Sequence, residues 1–198
     1  LFAYSQLLLA VNGHDGVYGT CGTPEKFWAK WVEEEISEPE FHRLKNQVLS
    51  PKQVDNLFGD RPTSIKEEYQ SLVDGGDLVV TDQDRLIISL LQPERLLEIM
   101  RMFTLFDKKA GKIVARYQQV FGIKALIERI SSFDEKGSRE GGVIWHTTGS
   151  GKSFTMVFFS KALIWLEELA KCRIIVVTDR VDLETQLSNT FKSGGVIT

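Results

Sequence analysis

Residues 143–153 read VIWHTTGSGKS, a short apolar run that enters a glycine-rich turn and ends in GKS. A helical apolar pattern follows at once, and a second apolar run, RIIVVT, occupies residues 173–178. The order strand, loop, helix, strand is one βαβ unit. Continuous apolar runs are typical of parallel strands buried on both faces. The stretch therefore predicts an α/β fold.

The loop in this stretch has the chemistry of a phosphate-binding loop. Its glycines let successive backbone N–H groups converge on phosphate oxygens, and the following helix adds the positive end of its dipole. The lysine reaches the β- and γ-phosphates of a nucleotide, and the last serine ligates Mg²⁺. The predicted nucleotide-binding residues of the loop are Thr148, Gly149, Ser150, Gly151, Lys152 and Ser153, with Ser153 also on the metal.

The motif departs from its usual form at its first position, where His146 stands in place of a glycine. The imidazole either fills space at the end of the strand or takes part in catalysis. The alternative for the whole loop is a tight turn without a ligand, but strand, motif and helix agree with one another.

Upstream, residues 115–123 read ARYQQVFGI. The spacing of Arg116, Tyr117 and Gln119 resembles the Q motif of superfamily 2 helicases. In that motif a glutamine amide reads the adenine edge through paired hydrogen bonds, and an aromatic residue packs nearby. We assign the glutamine role to Gln119 because a Gly-Ile pair follows it at the expected distance. Gln118 is the alternative, and two solvated glutamines on an amphipathic helix are the simpler interpretation.

Downstream, Thr178, Asp179 and Arg180 fall at the carboxyl end of the second apolar run. Open α/β sheets bind ligands at this edge. The segment resembles motif Ia of the same helicases, so Thr178 and Arg180 are candidate DNA-binding residues. A hydroxyl and a guanidinium suit phosphate contacts that carry no sequence information. The other interpretation is that the Asp-Arg pair caps the next helix.

The chain before the loop shows several local patterns. Residues 6–22 read as strand, turn and strand around two Xaa-Gly pairs. Residues 23–35 predict a helix, with Thr23 as N-cap and Pro24 at its first position. Ser50-Pro51 opens a further helix that Gly59 closes.

Later segments predict a hairpin and two helices. The hairpin joins DLVV, residues 77–80, to RLIISLL, residues 85–91. Residues 92–106 predict a helix, and DKKAGK, residues 107–112, is a polar link and candidate domain boundary. The apolar residues of the next predicted helix are Ile113, Tyr117, Val120, Ile123, Ile127 and Ile130.

The composition is that of an ordinary soluble protein. The chain has 198 residues and a net charge of −3, which argues against a histone-like coat of positive charge. No run of about 18 uncharged apolar residues occurs, so no membrane span or membrane partner is predicted. Cys21 and Cys172 lie far apart, which favours a cytoplasmic protein with two buried thiols.

Five segments, taken in order, resemble the R (restriction and motor) subunit of type I restriction-modification enzymes. They are LFAYSQLLLAVNGHDGVYGTCGTPEKFWAKW, LLQPERLLEIMRMFTLFD, KIVARYQQVFGI, VIWHTTGSGKSFTM and VVTDRVDLETQL. In that family a nuclease domain of the PD-(D/E)xK type precedes two RecA-like motor domains. The resemblance implies that residues 1–106 are the distal part of the nuclease domain with its connecting helices. Residues 107–198 would begin the first RecA-like P-loop domain.

The same resemblance implies the activity and the partners. The motor would hydrolyse ATP, with Mg²⁺, to pull double-stranded DNA past a complex with methyltransferase and specificity subunits. The nuclease would then cut away from the recognition site. The nuclease carboxylates and the DExH-type motif are expected outside this sequence, which we take as a piece of a longer chain. No catalytic residue for DNA cleavage is therefore assigned, and the isolated chain is expected neither to hydrolyse ATP nor to cut DNA.

Three other functions fit parts of the sequence. A superfamily 2 DNA helicase or translocase without a nuclease would share the motor motifs. A P-loop phosphotransferase would share the loop, although the Q-like motif and VVTDR count against it. The third alternative is a binding module with a degenerate motor.

Overall fold

The structure is a computed structural model, and it describes most of the chain. The described residues are 2, 4–107, 111–147, 149–169, 171–179 and 181–195. These described residues contain four short strands, β1 (Leu8–Val11), β2 (Gly16–Gly19), β3 (Thr104–Asp107) and β4 (Gly111–Val114). The same part of the chain forms eight α-helices, α1 (Glu38–Lys45), α2 (Pro51–Phe58), α3 (Thr63–Asp74), α4 (Asp82–Leu90), α5 (Pro93–Met102), α6 (Tyr117–Ser131), α7 (Lys152–Trp165) and α8 (Val181–Ser193).

The first strand pair confirms the predicted hairpin. β1 and β2 are antiparallel, with Leu8 opposite Gly19 and Val11 opposite Gly16. The side-chain oxygen of Asn12 accepts hydrogen bonds from two backbone N–H groups of the turn, those of His14 and Asp15. This local bonding is typical of asparagine in turns and fixes the register.

The helix predicted for residues 23–35 is wrong. Only a 3₁₀ turn forms there, from Glu25 to Phe27. The Thr23 hydroxyl accepts from the backbone N–H of Thr20, at 2.9 Å, and caps no helix. Ala29 and Tyr18 exchange backbone hydrogen bonds of 3.0 and 2.9 Å. Because this pairing extends the chain beside β2, the local helix signal is overridden by a tertiary contact.

The hairpin predicted for residues 77–91 is also wrong, because residues 82–90 form α4. The Thr81 hydroxyl accepts from the backbone N–H of Asp84, and the Asp84 carboxylate accepts from the backbone N–H of Thr81. This capping box starts a helix. Leu86 and Leu90 then share one buried face at helical spacing.

Predicted helix 92–106 ends early. α5 stops at Met102, and residues 104–107 form β3, which pairs with β4 in antiparallel register. Ile113 consequently lies on β4 instead of the next helix, which begins at Tyr117. The hairpin spans the predicted link 107–112, of which residues 108–110 lie outside the described residues.

The two parallel strands predicted around the loop do not form. Residues 143–146 and 173–178 have no strand assignment, and Val143 and Val177 are 95% and 87% exposed. A strand needs a hydrogen-bonded neighbour, and within the described part of the chain the sheets are only β1–β2 and β3–β4. The mixed α/β class is confirmed, but its described sheets are antiparallel hairpins.

The core lies between α7 and the elements around it. α7 packs against α5, α6 and α8. Val157, Phe158 and Ala162 of α7 are fully buried, and the rings of Phe158 and Phe103 lie 6.3 Å apart. Burial of this helix fixes its N-terminus, where the glycine-rich loop ends.

Two further expectations meet the structure here. The prediction of two buried thiols is wrong, because Cys21 is half-buried and Cys172 is exposed, and both are free. None of the described helices combines the length and the apolar character that crossing a membrane requires.

Candidate functional site

The glycine-rich loop has the backbone conformation that its sequence predicts. Gly149 and Gly151 have φ angles of +81° and +88°, in the left-handed region that favours glycine. The Ser150 hydroxyl donates to the carbonyl oxygen of Thr147 at 2.7 Å. Gly151 is the residue before α7, and its carbonyl oxygen accepts from the backbone N–H of Thr155 at 3.0 Å. Thr148 lies outside the described residues.

The first turn of α7 carries the two side chains expected to act on phosphate and metal. Lys152 opens the helix and is exposed, and Ser153 follows it half-buried. Within the part of the chain that the structure describes, the Lys152 ammonium group makes no hydrogen bond or ion pair. The free N–H groups and the helix dipole favour an anion at this end. Among the described residues no group of three or more His, Cys, Asp and Glu side chains could hold a metal ion. Ser153 is the predicted Mg²⁺ ligand because of its position in the GKS motif.

Gln119 joins this loop to the start of α6. Its side chain is 5% exposed, and its amide nitrogen donates to the Gly151 carbonyl at 3.2 Å and to the Thr155 hydroxyl at 3.1 Å. Its side-chain oxygen accepts from the backbone N–H of Arg116 at 2.9 Å. Both amide hydrogens are therefore used inside the protein. Gln118 is exposed on the same helix.

The other two residues of the Q-like motif take different positions. Arg116 precedes α6 and is half-buried. Tyr117 is the first residue of α6 and packs against the hydrophobic core. The structure thus brings Arg116 and Gln119 to the loop and directs Tyr117 to the interior.

A cavity of about 300 Å³ lies beside the glycine-rich loop. Its volume is at the lower end of the range for small-molecule sites. One side is formed by Gly149, Ser150 and Gly151, and the adjoining side by Arg116 and Gln119. The remaining wall comes from β4 and from residues 18–29 in the first part of the chain.

Thr178 lies in a different place. It borders an open groove of about 600 Å³ between the end of α7 and α8, together with Val176, Val177 and Glu184. Arg180 lies outside the described residues, so the proposed pair of backbone contacts is seen only in part. The structure does not bring Thr178 into the cavity at the glycine-rich loop.

Sequence reasoning missed two contributions to this site. Thr155, four residues after Gly151, holds the Gln119 amide. Phe27 and its neighbours form a cavity wall although they are far from the loop in the sequence. No local sequence pattern indicates either role, because both depend on contacts between distant segments.

Comparisons with known proteins find a family match and several related proteins. Residues 118–197 match the family described as SWI2/SNF2 ATPase. The type I restriction enzyme HindI endonuclease subunit of Haemophilus influenzae is 33% identical over 199 residues, covering 98% of this chain and 16% of that protein. The putative type I restriction enzyme MjaIXP endonuclease subunit of Methanocaldococcus jannaschii is 31% identical over 198 residues, covering 98% and 17% respectively.

A shorter similarity extends to a further organism. The type I restriction enzyme SauCOLORF180P endonuclease subunit of Staphylococcus aureus is 31% identical over 112 residues, covering 54% of this chain and 11% of that protein. The chain spans about one sixth of the length of the first two relatives. Over 98% of its length the chain is homologous to part of the endonuclease subunits of type I restriction enzymes, and its second half carries the match to a helicase-like SWI2/SNF2 ATPase.

Proposed function

We propose that this chain belongs to an ATP-dependent DNA-translocating and endonuclease subunit that cuts DNA away from its recognition site. The observation that carries the proposal is the glycine-rich loop at the N-terminus of α7, with Gly149 and Gly151 in the left-handed region and Gln119 bonded to the loop. A glycine-rich loop, a lysine and a glutamine are the parts that the resemblance to superfamily 2 helicases implies for binding ATP. The relatives named above supply the restriction context.

Each loop residue has a proposed role toward ATP. Backbone N–H groups of residues 149–153 would donate to phosphate oxygens, because left-handed glycines allow successive N–H groups to converge on an anion. Lys152 would place its ammonium group on the β- and γ-phosphates. Thr148, whose structure lies outside the described residues, would complete the loop. Ser153 would ligate Mg²⁺, which when bound neutralises charge on the phosphates.

The domain division follows from the same resemblance. We propose that residues 1–106 are the distal part of a PD-(D/E)xK-type nuclease domain and residues 107–198 the start of a RecA-like motor domain. The SWI2/SNF2 match, which begins at residue 118, supports the second assignment. The β3–β4 hairpin spans the junction, so the two segments would be joined by paired strands at that point.

Double-stranded DNA and the methyltransferase and specificity subunits are the proposed partners. Thr178 and Arg180 would touch the DNA backbone, since a hydroxyl and a guanidinium both suit phosphate oxygens. We also propose that the 198-residue chain alone binds nucleotide without hydrolysing it, because no D-E-x-H motif occurs in its sequence.

A helicase or translocase without nuclease activity is the second candidate. The family match covers residues 118–197 only, and this part carries the motor motifs. A P-loop phosphotransferase is less well supported, because its substrate site would not require a Q-like segment at the loop.

The test is ATP hydrolysis by the intact subunit, assembled with its methyltransferase and specificity subunits on DNA that carries the recognition site. We expect DNA-stimulated hydrolysis, translocation and cleavage, all lost in Lys152→Ala and retained in the exposed-lysine control Lys66→Ala. Hydrolysis and translocation without cleavage would favour the plain translocase. DNA-independent turnover with transfer of phosphate to a small molecule would favour the phosphotransferase. Full activity of Lys152→Ala would contradict the proposed site.

A further inference from the structure

The cavity at the glycine-rich loop has a wall that comes from the other end of the sequence. Thr23, Pro24 and Phe27 line it, and they belong to the segment that follows β2. Ile113 and Val114 of β4 and Phe154 of α7 add further apolar surface. The phosphate-binding loop is thus only one side of a pocket whose opposite side is apolar and aromatic.

This wall is held rigidly. The Trp28 indole N–H donates to the carbonyl oxygen of Thr23 at 3.0 Å, and the Phe27 N–H donates to that of Pro24 at 2.9 Å. These bonds fix the 3₁₀ turn that presents the Phe27 ring. A turn held in this way loses little conformational entropy when a ligand binds against it.

The same wall is tied to the chain next to the Q-like motif. The Tyr18 hydroxyl donates to the carbonyl oxygen of Ala115 at 2.8 Å, and the Thr20 hydroxyl donates to that of Lys112. Tyr18 is 1% exposed, and burial raises the pKa of its hydroxyl, so the group stays a donor. The distance between the wall and the start of α6 is therefore set by buried hydrogen bonds.

Phe27 is the exposed aromatic residue of this wall. Its side chain is 51% exposed, although the residue lies in a firmly bonded turn. The Lys26 ammonium group lies 5.0 Å from the ring centroid. An aromatic ring exposed beside an apolar cavity and a phosphate loop matches the needs of a nucleobase, which gains by stacking on a ring.

We infer that the cavity receives the purine base of the nucleotide and that Phe27 stacks on it. The inference rests on the proposed function, since it places the base of the same ATP whose phosphates occupy the glycine-rich loop. Residues 18–29, in the segment proposed as the end of the nuclease domain, then form part of the motor's nucleotide site.

The hydrogen bonds that Gln119 already makes determine which part of the base can be recognised. Both hydrogens of its amide nitrogen are donated to Gly151 and Thr155, so neither is free for the edge of a base. Recognition by Phe27 acts on the face of the ring, which adenine and guanine share. Loss of the Phe27 ring should therefore weaken the binding of ATP and the binding of GTP by a similar factor.

The experiment measures binding to the full-length subunit in the presence of Mg²⁺. The probes are ATP, GTP and tripolyphosphate, which carries the phosphates without a base. The variants are Phe27→Ala and Phe27→Trp, with Phe133→Ala as control, because Phe133 is an exposed phenylalanine in the loop after α6 that does not line the cavity. Lys152→Ala reports on the phosphate side of the site.

Phe27→Ala should raise the Kd of ATP and GTP about tenfold or more, the loss expected for one base stacked on an aromatic ring. The Kd of tripolyphosphate should not change, and Phe27→Trp should restore ATP binding. Unchanged ATP binding in Phe27→Ala, or an equal loss of tripolyphosphate binding, overturns the inference. After either of these results the proposed function still stands if Lys152→Ala abolishes ATP binding. The proposed function fails if the unmodified subunit binds no nucleotide.

Discussion

The Gln119 amide nitrogen lies 3.2 Å from the carbonyl oxygen of Gly151, the residue that ends the glycine-rich loop and precedes α7. A second bond from the same nitrogen reaches Thr155, one turn into the helix. The start of α6 and the start of α7 are thus fastened together through one buried side chain. The glutamine of the Q-like motif is thus bonded directly to the end of the glycine-rich loop.

This relationship predicts how Gln119→Ala behaves. The KM for ATP and the KM for GTP should both rise by about ten- to thirtyfold, because two hydrogen bonds of about 1 kcal/mol each no longer hold the loop. Steady-state hydrolysis by the intact subunit on DNA measures both values. Gln118→Ala is the matched control, since Gln118 is exposed one position away. A change confined to the ratio of ATP to GTP would instead assign Gln119 to the base edge.

The parts of the fold that the sequence predicts correctly are those with local causes. An Asn-Gly turn fixes the β1–β2 hairpin, and Ser50 and Gly59 delimit α2. The glycine-rich loop and α7 follow from their own motif. Each of these depends on hydrogen bonds within a few residues, so the pattern contains the information that decides the structure.

The errors have two different causes. Residues 85–91, rich in isoleucine and leucine, favour a strand, but the capping box of Thr81 and Asp84 starts a helix. The capping box is visible in the sequence, but a prediction based on side-chain type alone misses it. The cavity wall at Phe27 and the bond from Gln119 to Thr155 join distant segments. No window of sequence contains both members of such a pair.

A buried ionic cluster predicts a large effect of Arg95→Ala. The Arg95 guanidinium is 8% exposed, lies about 5 Å from the rings of Trp31 and Phe121, and pairs with Glu33. The Glu33 side chain is 1% exposed. Removal of Arg95 leaves this carboxylate buried without its cation, which costs about 3–5 kcal/mol.

Hydrogen exchange of the α5 and α6 amides in the intact subunit measures this cost as a fall in the free energy of opening. Arg43→Ala provides the comparison, because Arg43 pairs with Glu40 on the exposed surface of α1. Such an exposed pair contributes little to stability, because water and salt screen its charges. Equal protection in Arg95→Ala and Arg43→Ala would show that the cluster does not stabilise the packing of these helices.

The capping carboxylate of α4 predicts a pH dependence. Burial, the largest effect, raises the pKa of Asp84, but hydrogen bonds from Lys45 and from Thr81 outweigh it and leave the pKa below its ordinary value. Stability from a carboxyl group with a lowered pKa is present above the unfolded pKa and is lost as pH falls through the folded pKa. The contribution of Asp84 should therefore be complete at pH 6, begin to fall near the unfolded pKa of about 4, and disappear only below the lower folded pKa.

Asp84→Asn tests this sign. Protection of the α4 amides should fall by about 1 kcal/mol at pH 6, because the amide keeps an acceptor oxygen but loses the negative charge that pairs with Lys45 and with the helix N-terminus. The difference from the unmodified protein should shrink at acid pH. Ser50→Ala in α2 removes a capping box built from uncharged Ser50 and Gln53. Its effect should be the same at both pH values. A constant effect of Asp84→Asn across this range would rule out the charged carboxylate as the cause.

The predicted DNA contacts can be separated by their dependence on salt. Arg180→Ala removes one charge from the proposed phosphate contacts, so the slope of log binding constant against log salt should become shallower by about 0.9. Thr178→Val removes a hydroxyl without a charge, and it should weaken binding at every salt concentration while leaving the slope unchanged. The DNA concentration that half-saturates ATP hydrolysis by the assembled complex, measured over a salt series, provides both quantities.

Arg173→Ala is the control, because Arg173 is an exposed arginine at the start of the same apolar run. If Arg180→Ala alters only the exchange of α8 amides and leaves the slope intact, the Asp-Arg pair caps the helix and DNA is bound elsewhere.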